Sequence, residues 1–321
     1  MVILDPNGRS LITVKCTVCR RREAFFMRPY SGELLCRKCF LESIEQKVRV
    51  TIGKHKMFER TDRIAVAVSG GKDSVSLLHM LAKIEEDFPE CSLCAVTVDE
   101  GIEGYRDEAV SKAAKNCARV GVEQVVVSFR NLYGYTMDEI TELTRNRGLT
   151  PCAYCGVLRR RALNVAARKA SADKIATAHN LDDETQTFLL NIIHGDPYRI
   201  ARSSPITELE ELGFTQRVKP FCEVPEREVA LYAYVKKLPF QEMPCPYAGE
   251  ALRNDVRNIL NRLEEKHPGI KFTIYSSMGK IQEVMRGTAK ETSLRSCSNC
   301  GEPTTGETCQ TCQILRTLET S

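Results

Sequence analysis

The sequence lacks the features that mark membrane, secreted and low-complexity proteins. No stretch comes near the roughly 18 consecutive apolar residues that a membrane-spanning helix needs. Asp5 places a charge too early for a secretory signal. No low-complexity tract is present, and 42% hydrophobic with 27% charged residues excludes a disordered chain, a collagen and a coiled coil. We therefore expect a cytoplasmic protein. A length of 321 residues favours two or three structural units, with one large domain as the alternative.

Cysteine is the residue in excess. The chain has 15 cysteines, and about 0.7 Cys-x-x-Cys pairs would arise by chance at this frequency. Six such pairs occur: Cys16/Cys19, Cys36/Cys39, Cys91/Cys94, Cys152/Cys155, Cys297/Cys300 and Cys309/Cys312. A reducing cytoplasm keeps them as thiols or metal ligands. We interpret Cys91/Cys94 as the accidental pair, because Cys94 begins an apolar strand, and we predict no metal there.

Four of the pairs form two terminal sets with zinc-ribbon spacing. The sets are Cys16-x₂-Cys19-x₁₆-Cys36-x₂-Cys39 and Cys297-x₂-Cys300-x₈-Cys309-x₂-Cys312. Two knuckles each supply two thiolates to a tetrahedral ion, so each set predicts one structural Zn²⁺. Disulfide pairs are the alternative, which a reducing compartment disfavours. The sets predict an N-terminal zinc module over 1–45, a catalytic domain over 46–285 and a C-terminal zinc module over 286–321.

Positive charge is concentrated at the N-terminal end. The formal net charge of the chain is +4. Basic residues such as Arg20 and Arg21 crowd the first knuckles, with Phe25, Phe26 and Tyr30 between them. This mixture suits contact with the RNA backbone and stacking on bases. The alternative is a solvated basic face beside a small aromatic core.

The body of the chain alternates short apolar runs with helical stretches. Strands are predicted at Ile64–Val68, Cys94–Val98, Val125–Ser128 and Lys174–Thr177, and helices at Leu41–Lys56, Ser74–Ile84, Arg106–Val120, Val157–Ala170 and after Leu181. This alternation predicts an α/β fold with a doubly wound, Rossmann-like parallel sheet. We expect an exposed loop over His194–Gly213, and helices that resume with Pro225 in a first turn and continue through Ala248–Lys266.

A glycine turn follows the first strand of the body. Gly70 and Gly71 let backbone N–H groups approach an anion, Lys72 adds a positive charge, and Ser69 and Ser74 add hydroxyl groups. The spacing is not that of Walker A. We interpret the segment as a phosphate-binding loop; the alternative is a capped strand-to-helix turn.

The pair Cys152/Cys155 lies outside both terminal modules. One pair cannot close a four-thiolate site, so it could be a redox dithiol, a persulfide-carrying pair or two of three cluster ligands. Cys245, held between Pro244 and Pro246, is the favoured third thiol. Cys222 ends an apolar stretch, and we interpret it as buried and inert.

Several of these segments resemble one family. Ser69–Ser74 is similar to the PP-loop of the ATP pyrophosphatases. Together with Val98–Arg106, Cys152–Arg161, Ala178–Glu184 and Pro244–Pro246, it resembles the TtuA/NcsA (cytosolic Ncs-type) tRNA-uridine 2-thiolation enzymes. The similarity covers nearly the whole chain and leans toward the wobble-uridine branch.

The resemblance implies a set of site residues. The cluster ligands would be Cys152, Cys155 and Cys245, holding a 4Fe-4S cluster with one free iron. ATP would bind at Ala67, Ser69, Gly70, Gly71, Lys72, Asp73, Ser74, Val98, Gly156 and Asp183. Lys72 and Asp183 would be catalytic, with a carboxylate holding Mg²⁺. His179 could serve this site or be structural. The RNA-binding candidates are Arg20, Arg21, Arg159 and Arg160.

The resulting expectation is ATP-dependent 2-thiolation of a tRNA uridine, most specifically the wobble uridine. Adenylation of the C2 oxygen would precede sulfur transfer. Sulfur would come from a thiocarboxylated ubiquitin-like carrier protein or from inorganic sulfide, and the protein would act as a homodimer or in a hetero-complex. Three alternatives stay open: thiolation of the T-loop uridine, a persulfide-based PP-loop enzyme, and a non-catalytic zinc protein that binds RNA.

Overall fold

The computed structural model describes residues 2–4, 10–145, 147–206, 215–248, 252–286 and 295–319. Within these ranges no helix has both the length and the apolar character needed to cross a lipid bilayer. The elements are, in chain order, β1 (Val2–Leu4), β2 (Ser10–Thr13), β3 (Phe26–Met27), β4 (Leu34–Leu35), α1 (Arg37–His55), β5 (Arg63–Ala67), α2 (Lys72–Glu85), β6 (Ser92–Asp99), α3 (Arg106–Val120), β7 (Gln124–Ser128), α4 (Phe129–Tyr133), α5 (Met137–Leu143), α6 (Pro151–Lys169), β8 (Lys174–Ala176), α7 (Leu181–Ile193), α8 (Pro197–Arg202), β9 (Gln216–Val218), α9 (Glu226–Val235), α10 (Leu252–Lys266), α11 (Ile270–Arg286), β10 (Arg295–Ser296), β11 (Pro303–Thr304) and α12 (Gln310–Glu319).

A five-stranded sheet in the order β7-β6-β5-β8-β9 forms the centre of the structure, and every neighbouring pair is parallel. The predicted doubly wound α/β fold is confirmed. From β5 the chain adds β6 and β7 on one side and β8 and β9 on the other. The strand order therefore reverses between β5 and β8. In open α/β sheets ligands bind at the carboxyl ends of the strands beside such a point.

Strand β5 shows how both faces of this sheet are covered. Ile64 and Val66 point to the face packed by α2 and α9, whereas Ala65 points to the face packed by α6. Side chains alternate between faces along a strand, so a strand buried on both sides has a continuous apolar run. Strand β9 is not among the predicted strands, because it is only three residues long and two of its side chains are partly buried.

Helix α6 begins earlier than the sequence pattern predicts. The predicted start is Val157, but Pro151 occupies the first helical position, where its fixed φ and missing N–H are tolerated. Cys152 and Cys155 therefore lie on the first turns of a helix and not in a loop before it. Helix α3 has the predicted bounds, and α2 begins at Lys72, two residues before the predicted start.

The expected exposed loop over residues 194–213 is wrong in part. Helix α8 occupies part of it, with the Asp196 side chain accepting a hydrogen bond from the backbone N–H of Arg199 and Pro197 in the first turn. Ile200 from this helix packs in a small core with Phe188. Residues 207–213 lie outside the described residues.

The helices after β9 also differ from the prediction. Pro225 is the N-cap of α9, one position before the expected first turn. The helix predicted from Ala248 starts at Leu252, and residues 249–251 lie outside the described ranges. Helix α11 is not among the predicted elements; it packs against α7 and α8.

The N-terminal cysteine module is continuous with the body. The expected boundary at residue 45 falls inside α1, which begins at the second knuckle and carries Cys39. Phe26 and Phe40 share one hydrophobic core with α2 and α9. A buried ion pair between Arg28 and Glu228 (2.9 Å) joins the module to α9. At the other end α12 packs against α6. The division into three units stays a prediction.

Candidate active site

The glycine turn after β5 adopts a conformation that only glycine tolerates. Gly70 has φ +92°, and a Cβ built on it would lie 2.1 Å from the carbonyl oxygen of Ala109 in α3. Both the positive φ and this close approach exclude a side chain. The Gly70 carbonyl accepts a hydrogen bond from the backbone N–H of Gln241 (2.9 Å). The loop is therefore held between α3 and the chain after α9.

Two serines shape the loop from inside. The Ser69 backbone N–H donates to the Ser74 hydroxyl oxygen (3.1 Å), and the Ser74 hydroxyl donates to the Gly71 carbonyl (2.9 Å). Helix α2 begins directly after Gly71, so its first N–H groups face the carboxyl end of the sheet. Free N–H groups and the helix dipole favour an anion at this position.

Lys72 belongs to helix α2 and not to the glycine turn itself. It is the first residue of α2 and is about one-third exposed, with its ammonium paired to Asp73 (3.0 Å) and Glu226 (2.8 Å). Burial disfavours its charge, but the two carboxylates outweigh this effect and raise the pKa of Lys72. Glu226, from α9, is a site residue that the sequence does not identify, since 154 positions separate it from Lys72.

Asp73 and Glu226 flank this lysine, and Asp183 lies close enough to Asp73 to affect its charge. Burial raises the pKa of Asp73 to about 6, Lys72 opposes the shift, and the charges of Glu226 and Asp183 add to it. Burial also raises the pKa of Asp183. Such mutual repulsion favours a bound cation, and carboxylate oxygens are the ligands that Mg²⁺ prefers.

The two adjacent aspartates of α7 have different surroundings. Asp183 forms a reciprocal capping box with Asn180 (3.1 Å in both directions) and remains partly exposed toward the loop. Asp182 is buried and accepts hydrogen bonds from the Glu226 N–H (2.8 Å) and the Lys271 ammonium. Asp182 therefore ties α7 to α9 and α11, and Asp183 is the residue available to a ligand.

His179 lies between β8 and α7, one residue before the N-cap of α7. Its ring is solvent-accessible, and its Nδ1 is 2.9 Å from the Thr177 hydroxyl. Desolvation by the surrounding protein disfavours the charged ring, and the positive charges of Lys219, Arg253 and Arg217 add to this effect. Together they lower the pKa of His179 to about 4. The ring is thus neutral near pH 7.

The three remaining nucleotide candidates lie around the same edge of the sheet. Ala67 is the last residue of β5. Val98 is buried in β6, and its carbonyl accepts a hydrogen bond from Arg106. Gly156, on α6, has no heavy atom within 4 Å of the position that a Cβ would take. Their contact with ATP stays a prediction.

Three of the seven cysteines outside the terminal modules, Cys152, Cys155 and Cys245, lie near one another. Cys152 is exposed and its thiol donates to the Tyr247 carbonyl (3.3 Å), two residues after Cys245. Cys155 is buried on the next turn of α6. Burial raises the pKa of Cys245, and the charge of Cys152 raises it further. Cys222 lies elsewhere, in the core around α2 and α9, as predicted for a buried residue; burial raises the pKa of its thiol to about 12.

The spacing of these three sulfurs differs from that in the terminal modules. Among the described residues, sulfurs converge within 4.8 Å of one another in two sets: Cys16, Cys19, Cys36 and Cys39, and Cys297, Cys300, Cys309 and Cys312. Four thiolates so close can hold one tetrahedral ion. Cys152, Cys155 and Cys245 are not among these two sets. An all-thiolate donor set is typical of iron–sulfur clusters.

The predicted RNA contacts fall into two groups. Arg20 and Arg21 are exposed on the first knuckle. The neighbouring aromatic residues form a small core: Phe26 is buried, Phe25 packs edge-on against Phe40 (5.7 Å between ring centroids) and Tyr30 packs against Phe272 (4.8 Å). Phe25 and Tyr30 are half-buried, and their stacking on RNA bases stays a prediction.

Arg159 and Arg160 follow Cys155 on α6. The Arg159 guanidinium contacts the Cys155 sulfur (3.1 Å) and Glu100 (2.7 Å). Burial lowers the pKa of Arg160 and Arg199 lowers it further, so Arg160 faces other cations. A group of neighbouring arginines of this kind suits a polyanion.

A glycine-turn nucleotide site at the switch point of a parallel sheet defines the class of this protein. The PP-loop domain family matches residues 41–264, so the chain is a PP-loop protein. It is similar to the tRNA 2-thiolation protein NcsA of Haloferax volcanii, with 36% identity over 95% of this chain and 99% of that protein. Within the PP-loop class, the chain belongs to the family of tRNA 2-thiolation proteins.

Other relatives agree with this placement. The chain is 37% identical to the cytoplasmic tRNA 2-thiolation protein 1 of Chlamydomonas reinhardtii, over 94% of this chain and 84% of that one. The solved structure of the U34-tRNA thiolase NcsA from Methanococcus maripaludis, with its 4Fe-4S cluster, matches with a TM-score of 0.80 and 32% identity. That match covers 95% of this chain and 97% of the thiolase.

Proposed function

We propose that this protein is an ATP-dependent tRNA-uridine 2-sulfurtransferase that acts in the cytoplasm on the wobble uridine. The observation that carries the proposal is a line of contacts between the phosphate loop and the cysteines. Arg106 donates to the Ser69 carbonyl (3.0 Å) and pairs with Glu100, which also pairs with Arg159 beside Cys155. The two halves of the site thus lie at one edge of the sheet, where one base can meet both. The relatives named for tRNA 2-thiolation, and the U34-tRNA thiolase above all, support the substrate and the position.

The residues around the loop have distinct roles in the first half-reaction. The N–H groups of Gly70, Gly71 and the start of α2 bind the phosphates of ATP, and Asp183 with Asp73 holds Mg²⁺. Lys72 leaves its carboxylate partners for the phosphates and stabilises the charge that develops there. The uridine O2 attacks the α-phosphorus, pyrophosphate leaves, and the C2 carbon becomes open to substitution.

The second half-reaction replaces that oxygen by sulfur. Sulfide attacks C2 and AMP leaves with the original oxygen, so atoms and charge balance. We propose that Cys152, Cys155 and Cys245 hold a 4Fe-4S cluster, which when bound would supply an iron open to an external sulfur ligand. The sulfur source is a thiocarboxylated ubiquitin-like carrier or inorganic sulfide.

The terminal modules complete the proposal. Each four-thiolate set binds a structural Zn²⁺. Arg20, Arg21 and Arg160 contact the tRNA backbone, and the protein works as a homodimer or in a hetero-complex.

The test uses anaerobically prepared full-length protein with ATP, Mg²⁺, sulfide and unmodified tRNA. We expect AMP release that depends on tRNA, with 2-thiouridine located at position 34 by nuclease digestion and mass spectrometry. Thiolation in the T-loop would overturn the position. Absence of AMP release would favour a zinc protein that binds RNA without catalysis.

A further inference from the structure

Three consecutive arginines on α6 point to three different surroundings, because each residue turns by about 100° around a helix. Arg160 is exposed near Arg199, and Arg161 reaches the C-terminal thiol set, with its Nη1 3.2 Å from the Cys300 sulfur. Arg159 turns toward the cysteine site. Its Nη2 donates to the Cys155 sulfur (3.1 Å) while its Nε pairs with a Glu100 carboxylate oxygen (2.7 Å).

Glu100 holds the Arg159 guanidinium in place. It directly follows β6, its side chain is 4% exposed, and its two oxygens are divided between two guanidinium groups. The second is Arg106, which is buried and pairs with Glu100 at 2.6 Å. Arg106 also donates to the Ser69 carbonyl in the phosphate loop (3.0 Å). A continuous series of charged contacts therefore joins Ser69 to Cys155.

Glu100 carries one negative charge between two positively charged guanidinium groups, so the three side chains have a net positive charge. Arg159 is the one of the three that contacts the Cys155 sulfur. The guanidinium fork is planar, so a bond to Glu100 at one nitrogen fixes the direction of the others. Burial of Glu100 and Arg106 fixes the inner pair, since neither partner can leave without exposing an unpaired buried charge, whereas the Arg159 side chain is half exposed.

We infer that Arg159 is a positioning residue that donates a hydrogen bond to the Cys155 ligand of the cluster, and that Glu100 and Arg106 couple this bond to the occupancy of the phosphate loop. The inference rests on the proposed cluster ligands. A hydrogen bond and a positive charge at a ligand sulfur stabilise the reduced cluster, so they raise its reduction potential. A nucleotide that shifts Ser69 would move Arg106, and through Glu100 it would move the Arg159 guanidinium.

The first experiment is a redox titration of the full-length protein, reconstituted anaerobically and monitored by electron paramagnetic resonance. Arg159→Gln should lower the midpoint potential of the cluster while iron and sulfide content stay at the wild-type level. Arg160→Gln is the matched control: it removes the same charge one position along α6, and its potential should equal that of the wild type. Equal potentials in Arg159→Gln and wild type would overturn the inference.

The second experiment adds a non-hydrolysable ATP analogue to the reduced protein. We expect the analogue to shift the resonance signal of the wild type and of Arg160→Gln, and to leave that of Arg159→Gln unchanged. A shift of the same size in Arg159→Gln would refute the coupling. If Arg159→Gln does not assemble a cluster, Arg159→Lys, which keeps the charge and a donor, is titrated in its place and should show a smaller decrease in potential.

These results separate the inference from the proposed function. A wild-type protein that binds no iron and sulfide would refute the proposed cluster ligands and the inference together. A normal cluster whose potential and nucleotide response ignore Arg159 would refute the inference alone.

Discussion

Gly70 shows how one residue can fix the geometry of a site. Its φ of +92° and the Ala109 carbonyl beside it leave no room for a Cβ. The sequence indicates the need for glycine there, because two adjacent glycines between a strand and a helix are typical of a phosphate loop. It cannot indicate that α3 is the element in contact, since that contact depends on the packing of the whole sheet.

Gly70→Ala should destabilise the protein by more than ~2 kcal/mol, because an alanine is strained at this φ and clashes with backbone that cannot move away. Gly134→Ala is the control: Gly134 also has a positive φ (+80°) but no neighbouring atom within 4 Å. It should cost about 1–2 kcal/mol. Urea unfolding measures both, and equal losses would show that the Ala109 contact is unimportant.

Lys72→Ala should reduce tRNA-dependent AMP release by ~100-fold or more, because the site loses the charge that faces the phosphates. The fold should survive, since Lys72 is partly exposed. Lys83→Ala, near the other end of α2, is the control and should keep wild-type AMP release. Full AMP release by Lys72→Ala would disprove the role of this lysine.

Among the elements, helix α6 contains most of the cysteine-site features that the sequence predicts. It also contains most of those that the sequence does not predict. The spacing of Cys152 and Cys155 is readable in the sequence, and so is the basic run that follows. The early start of the helix at Pro151 and the separate directions of the arginines are not, because apolar periodicity begins only after the first turns. Glu100 escapes detection because its partners come from other elements.

Helix α6 also contacts the C-terminal module through Arg161. Its Nη1 lies 3.2 Å from the Cys300 sulfur and 3.7 Å from that of Cys312. Hydrogen bonds to ligand sulfurs support metal binding, so Arg161→Gln should lower zinc affinity by about 10- to 100-fold. The rate of zinc transfer to a chelator measures this. Lys169→Gln, an exposed change on the same helix, should leave the rate unchanged; equal rates in the two variants would contradict the role of Arg161.

The end of α1 is linked to the segment before α9 by Glu223. Hydrogen bonds from His55 and Lys54 lower the pKa of Glu223 from 4.5 to about 2. A lowered carboxyl pKa in the folded state gives stability that is present above pH 4.5 and is lost as the pH falls toward 2. Solvent screens the exposed Lys54, so we expect the lowered pKa of Glu223 to add about 1–2 kcal/mol to the free energy of unfolding near pH 7.

Glu223→Gln should therefore be less stable than the wild type near pH 7, and the difference should shrink between pH 4.5 and 3. Denaturant unfolding across this range measures it. The control is Glu42→Gln on α1, whose exposed pair with Lys38 (3.6 Å) should contribute less than ~0.5 kcal/mol at any pH. If the stability difference between Glu223→Gln and the wild type did not change with pH, the loss of stability would come from packing and not from the charge of Glu223.

For the whole molecule, the sequence predicts the parallel sheet because short apolar runs alternate with helical stretches. It does not predict β9, α8 or α11, which are short or lack a clear apolar period. The four-cysteine sets are predictable because their ligands are close in sequence. The meeting of Cys245 with α6 is harder to predict, since 90 residues separate it from Cys155; the flanking prolines favour Cys245 as the third thiol, and the resemblance to a known family suggests the same set.

The central claim is that Cys152, Cys155 and Cys245 hold one cluster beside the phosphate loop. The most direct test measures iron, sulfide and 2-thiouridine formation in anaerobically prepared wild-type protein, Cys245→Ala and Cys222→Ala. We predict that Cys245→Ala loses the brown absorbance, the bound iron and sulfide, and 2-thiouridine formation, while Cys222→Ala, altered in the buried core, keeps all of them. A Cys245→Ala protein with a full cluster and normal thiolation would contradict the account.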